Sequence, residues 1–149
     1  MQCNESVRAM NTEGIALVER LCAATNAHDL VALVDCFAKD YTNEVPAHPA
    51  RGFTGREQVR QNWAQIFAHV PDLRARVLAR CADGDSVWSQ WQLSGRRLDG
   101  TNYEMAGVIV FEVRDARAVR ARFFLEPVDE DATDVAHVVG RQVHAGTSP

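Results

Sequence analysis

The sequence predicts an α+β fold in one domain, with helices first and an antiparallel sheet after them. Two observations predict it. Between Thr12 and Val70 the apolar residues recur mainly at helical spacing, and between Leu73 and Glu126 they alternate, with turn signals at regular intervals. Helices and strands segregated in this way do not build a parallel, doubly wound sheet. A chain of 149 residues has room for one sizeable core.

The elements follow in order. Residues 1–11 are polar and are expected to be loose. From Thr12 to Ala27 a helix carries Ile15, Val18, Leu21, Cys22 and Thr25 on one face. His28-Asp29 interrupts it, and Asp29 is a natural N-cap for a second helix with Leu30, Leu33, Val34 and Phe37 on one face. Asp40–Val45 changes period to two and reads as a short strand ended by Pro46 and Pro49, with a return strand at 51–53. Thr54 followed by Glu57 has the form of a capping box, so a third helix should start there and present Val59, Trp63, Ile66, Phe67 and Val70. Four strands follow: 73–81, 86–93 (with a continuation toward Arg97), 103–113 and 118–126. Turns at 82–85, 99–100 and 114–117 join them. The domain spans 12–128. The stretch 129–149 is an acidic tail with a weak helix at 135–143 and a frayed end, AGTSP.

Composition excludes several function classes. A net charge of −4 leaves no basic excess for neutralising phosphates, which argues against a nucleic-acid partner. No apolar run approaches the roughly twenty residues of a membrane span, and the first fourteen residues lack the apolar centre of a secretory signal. Cys3, Cys22, Cys36 and Cys81 show neither CxxC nor zinc spacing, and the five histidines form no metal spacing with them or with one another. Gly52-Phe-Thr-Gly55 lacks the pattern of a phosphate loop. The expectation is a reduced, cytoplasmic protein with no metal and no cofactor.

The chemistry centres on Ala118–Pro127, AVRARFFLEP, a strand that ends on Glu126. A carboxylate at the end of an apolar, aromatic strand is solvated, paired or used. Alternation puts Arg122 and Phe124 on the face of Glu126, and an Arg122–Glu126 pair would lower the acid's pKa and weaken it as a base. Tyr41 and Asn43, two apart on a strand, share a face on which a phenol and an amide can converge on one small molecule. Trp63, Trp91, Tyr103, Met105 and Phe124 supply aromatic and soft surface suited to a flat, apolar ligand. Trp88 and Trp91 have opposite parity, so one faces inward and the other outward. His48, between two prolines, stands on a loop near the expected pocket mouth, as a lid residue or as a solvated loop histidine.

The helical pair, DYTNEV, GFTGREQV and the run GVIVFEVRDARAVRARFFLE resemble, in order and spacing, the SnoaL-like branch of the NTF2-like superfamily, from about Gly14 to Val128. The resemblance implies a cone: a strongly curved, mostly antiparallel sheet wrapped around a pocket that three helices cover. It implies a homodimer through the outer sheet face. It also implies one of several activities, since the branch holds polyketide cyclases, ketosteroid-isomerase-like and epoxide-hydrolase-like enzymes, and non-catalytic binders. Glu126 matches the strand-end acid that serves as general base, and Tyr41 and Asn43 match the pair that holds water in epoxide-hydrolase-like members. Those members also place an Arg and an Asp two apart on the strand that is 86–93 here. In one register Trp91 and Leu93 stand there, and in the other Gln90 and Gln92, so epoxide hydrolysis is not expected.

Two main readings come out of this, with a third behind them, a water-adding hydrolase that uses Tyr41, Asn43 and Glu126 without the usual acid. One is a cofactor-independent cyclase or isomerase that abstracts a proton next to a carbonyl, with Glu126 as base and Tyr41 and Asn43 orienting substrate or water. The other is a non-catalytic ligand-binding or dimerisation module on the same fold.

Overall fold

The computed structural model describes residues 2–144, with side chains from Glu5 onward; the expectations for Cys3 and for the tail 145–149 lie outside these. The elements are α1 (Gln2–Ala27), α2 (Leu30–Asp35), β1 (Phe37–Glu44), a single 3₁₀ turn (Pro49–Arg51), β2 (Phe53–Thr54), α3 (Arg56–His69), β3 (Arg74–Asp83), β4 (Ser86–Arg96), β5 (Asn102–Arg114), β6 (Arg117–Pro127) and α4 (Val135–Val143). The fold is α+β, as expected.

Local chemistry explains most boundaries. Asp29 caps α2 through its carboxylate, which accepts from the Ala32 amide at 3.0 Å. Four boundaries differ from expectation. The return strand is Phe53–Thr54 rather than 51–53, because Pro49–Arg51 closes into the 3₁₀ turn. The first helix begins at Gln2 rather than Thr12, with residues 5–9 forming an exposed extension of a helix whose buried face starts later. Phe37 opens β1 instead of closing α2. The capping box does not form: Thr54 is paired with Thr42 in the β1–β2 ladder, and Gly55, at φ 103°, takes the N-cap position of α3 without a side-chain cap. The helix starts at Arg56, so Thr54 stands one residue outside the N-cap position and Glu57 is not three residues from the cap.

The six strands form one sheet in the order β2-β1-β6-β5-β4-β3. β3 to β6 are the expected antiparallel meander, and β1 joins β6 in parallel. One sheet face carries the core, where Leu17, Val18 and Leu21 of α1 meet Val87, Trp91, Ile109 and Phe111. Trp91 therefore faces inward, 3% exposed, and Trp88 faces outward, 50% exposed. Among the described residues no helix is long and apolar enough to cross a membrane.

Two backbone features shape the sheet. Gly107 in β5 has φ 150°, and a Cβ there would lie 2.0 Å from the Phe124 carbonyl oxygen of β6. Only glycine lets the two strands approach this closely. The β5–β6 turn places two non-glycine residues, Asp115 (φ 52°) and Ala116 (φ 61°), in the left-handed region. α1 holds that turn from both sides: the Glu13 carboxylate accepts from the Ala116 amide, and Arg20 donates to the Ala116 carbonyl at 3.0 Å. Within the core, the Trp91 indole donates to the Ser89 hydroxyl at 2.7 Å, which in turn donates to the Ile109 carbonyl at 2.8 Å.

Gly107→Ala should destabilise the protein by at least about 2 kcal/mol in urea titration, since the clash is with backbone that cannot yield locally. Ala116→Gly should stabilise it by roughly 0.5–1 kcal/mol, because relief of left-handed strain outweighs the added freedom of the unfolded chain. Ser89→Ala should cost about 1–3 kcal/mol by leaving a buried indole N–H without an acceptor.

Candidate functional site

The site begins in β1. From Tyr41 onward alternation buries Tyr41 and Asn43; before it a register irregularity breaks the pattern, so Phe37 is buried while Lys39 and Asp40 are both exposed. Tyr41 is 1% exposed, its ring edge-on to Phe37 at 4.8 Å and to Phe53 at 6.1 Å. Its hydroxyl donates to Asn43 Oδ1 at 2.8 Å. Burial pushes the Tyr41 phenol far above its ordinary pKa, so the group is a neutral donor rather than a base. With Oδ1 engaged, the Asn43 amide turns its two N–H donors to other uses, and among the described residues no partner takes them.

Tyr41 and Asn43 open onto a cavity of ≈ 280 Å³. β1 contributes Phe37, Tyr41 and Asn43, and Val45 follows directly after its end. Facing them, α3 contributes Val59, Asn62, Trp63 and Ile66. The sheet floor supplies Leu93, Tyr103, Met105, Phe123 and Leu125, and the segment before α3 supplies Arg51 and Phe53. Tyr103 is partly buried, which raises its pKa, while the Arg97 guanidinium, 5.4 Å from its ring centroid, acts in the opposite direction. No carboxylate lines the cavity, and Arg51 is its one formally charged side chain. Among the described residues no group of three or more His, Cys, Asp or Glu is placed to hold a metal ion.

Five of the nine expected site residues come together here: Tyr41, Asn43, Trp63, Tyr103 and Met105. Four do not line the cavity. Trp91 shares the inward face but is packed beneath α1, where its indole is bonded to Ser89. Phe124 is 43% exposed, because alternation along β6 sends Phe123 and Leu125 inward and Arg122, Phe124 and Glu126 to the other face. Glu126 is not locked to Arg122. Its carboxylate sits 3.0 Å from His48 Nε2, and both side chains are about half exposed. His48 thus pins the loop after β1 to the end of β6.

Sequence reasoning missed Arg51, Asn62, Leu93, Phe123 and Leu125. Asn62 had a readable signal: it falls in the helical stripe of Val59 and Ile66, as a polar residue among apolar ones. Phe123 and Leu125 follow from parity once Ala121, fully buried, marks the inward face of β6. Arg51, in a turn between prolines and a two-residue strand, had none. The inward register of β4 is that of Trp91 and Leu93, so the positions that carry an Arg–Asp pair in epoxide-hydrolase-like proteins hold two apolar side chains here.

Several solved structures share this architecture. An epoxide hydrolase of Mycobacterium tuberculosis, described as LEH-like, superposes with a TM-score of 0.67 at 19% identity, covering 78% of this chain and 84% of that one. IdmH, a polyketide cyclase candidate from Streptomyces antibioticus, gives 0.65 at 23% identity, covering 76% and 91%. RV0760c from Mycobacterium tuberculosis, solved in complex with estradiol-17beta-hemisuccinate, gives 0.65 at 17% identity, covering 75% and 92%. At these identities the likeness is one of fold. A comparison with curated proteins finds no sequence match. The SnoaL-like domain family matches residues 18–121, and the chain belongs to that family.

Proposed function

We propose that this protein binds a flat, largely apolar small molecule in the cavity between α3 and the sheet. The lining carries the reading: aromatic and aliphatic walls with a Tyr41–Asn43 pair at one side and no acid among them. An apolar molecule gains most of its affinity from removing ring surface from water, and the few polar groups fix its orientation. A neighbour of the same fold holds estradiol-17beta-hemisuccinate, which supports a ligand with ring surface here.

Catalysis by proton abstraction next to a carbonyl, leading to isomerisation or cyclisation, is the second reading. One observation favours it. The loop that carries His48 runs between Val45 and Arg51, which both line the cavity, and Glu126 holds His48. A histidine oriented by a carboxylate is a competent general base if the loop turns its free Nδ1 toward a substrate. The binding reading stands ahead of it because neither side chain lines the cavity.

We also propose that two copies pair through the sheet face turned away from the helices. Trp88, Phe124 and Leu78 are 50%, 43% and 43% exposed there, while Val110 between Trp88 and Arg122 is 2% exposed. The free thiols of Cys22, Cys36 and Cys81 fit a reducing, cytoplasmic setting.

Trp63→Ala should weaken binding of ring compounds about tenfold or more in calorimetry, while Glu126→Gln should leave it within about twofold. An equal, large loss in both would return Glu126 to the ligand site. Should a turnover assay on a ring ketone show activity that Glu126→Gln lowers about a hundredfold with affinity intact, the catalytic reading replaces the binding one. Trp88→Glu should shift the protein from dimer to monomer in light scattering, with no change in circular dichroism.

A further inference from the structure

The polar groups of the cavity are unequal in kind. Asn43 Oδ1 is taken by Tyr41. Asn62 Oδ1 is taken by Gln58, which donates to it at 2.8 Å. The carboxamide nitrogens of both residues, the Trp63 indole N–H and the whole Arg51 guanidinium have no hydrogen-bond or ion-pair partner among the described residues. All of these are donors, and arginine has no acceptor at all. Acceptor capacity is limited to the two tyrosine hydroxyls and the remaining lone pairs of the two engaged Asn oxygens, apart from the weak Met105 thioether, and no lining side chain is negative.

Arg51 is also held in place. Asn43 pairs with Phe53 across the β1–β2 ladder, two residues from Arg51. Gly52 lies so close to Asn43 that an added Cβ would sit 3.2 Å from the Asn43 carbonyl oxygen. The backbone that carries Arg51 is therefore tied to that of Asn43, and both residues line the cavity, with Asn62 and Trp63 on its α3 side.

We propose that the ligand is an acceptor-rich organic anion: an apolar ring system with a carboxylate at Arg51 and a carbonyl oxygen within reach of the Asn43 amide. This deepens the binding reading and rests on it. Arg51 and Asn62 are exposed and Asn43 is buried, so a neutral hydrocarbon would leave the Asn43 amide without an acceptor and the one lining charge without a partner. A carboxylate matches the planar guanidinium fork in two parallel hydrogen bonds. A cationic ligand meets Arg51 with repulsion and no counter-charge.

The test uses paired probes: benzoate, 2-naphthoate and 9-anthroate, each against its neutral methyl ester, titrated by calorimetry and Trp fluorescence at low and high salt. At least one acid should bind about tenfold tighter than its ester at low salt, with the preference shrinking at high salt. Arg51→Met, which keeps the apolar stem, should remove that preference and leave ester binding unchanged. Arg8→Met, a control at an exposed position of α1 away from the cavity and the sheet, should change neither. If acids and esters bind alike in the native protein, or Arg51→Met leaves the preference intact, the anion assignment is overturned while the apolar binding site stands. If no probe of either kind binds to protein with native circular dichroism, the binding reading falls as well.

Discussion

The register of β6 against β5 decides what kind of site this protein has. Ile109 faces Phe123, and Gly107 faces Leu125, with Gly107 drawn against the backbone of β6 so closely that no side chain fits between. A shift of one residue would send Phe124 and Glu126 into the cavity and expose Phe123 and Leu125. The site would then be an acid in an apolar pocket, the arrangement that raises a carboxylate's pKa and makes a base of it. In the register observed, the pocket is lined without an acid, and Glu126 takes a histidine on the surface instead.

The same constraint explains what could be read from the residues and what could not. The segregation of helices and strands, the meander and its turns all follow from local periodicity, and the structure has them where the pattern puts them. The partnership of β1 with β6 does not, because parallel pairing between strands about eighty residues apart leaves no local mark. The Tyr41–Asn43 pair was legible because both residues sit on one strand, so their shared face needs only alternation. The inward face of β6 has to be anchored, and the run RARFFLE offers aromatics on both faces. Fully buried Ala121, the smallest residue of the stretch, marks the inner side, and size alone does not announce it. Thr54 shows a different failure: a helix-capping motif was present, but the helix starts one residue too late for Thr54 to cap it, and Thr54 pairs in the β1–β2 ladder instead.

Electrostatics divide the molecule in a way composition hides. The net charge is −4, yet the cavity lining is positive through Arg51 and rich in donors. Several acids lie elsewhere in ion pairs: Glu19 with Arg80, Asp35 with Arg117, Glu44 and Glu112 with Arg120, and Glu126 with His48. These exposed pairs contribute little to stability individually.

The parallel pairing of β1 with β6 has a consequence for the order of assembly. β1 supplies Tyr41 and Asn43, but apart from the two residues of β2 its strand partner is made last, after residue 117. On a ribosome, β1 emerges with the Tyr41–Asn43 pair already present and no sheet to dock on. The meander must form before that strand can be seated, so contacts of long sequence separation close the cavity late. A nascent chain stopped within β6 would hold a partly built sheet and an unpaired β1 edge, and that edge would be the surface most in need of protection during synthesis.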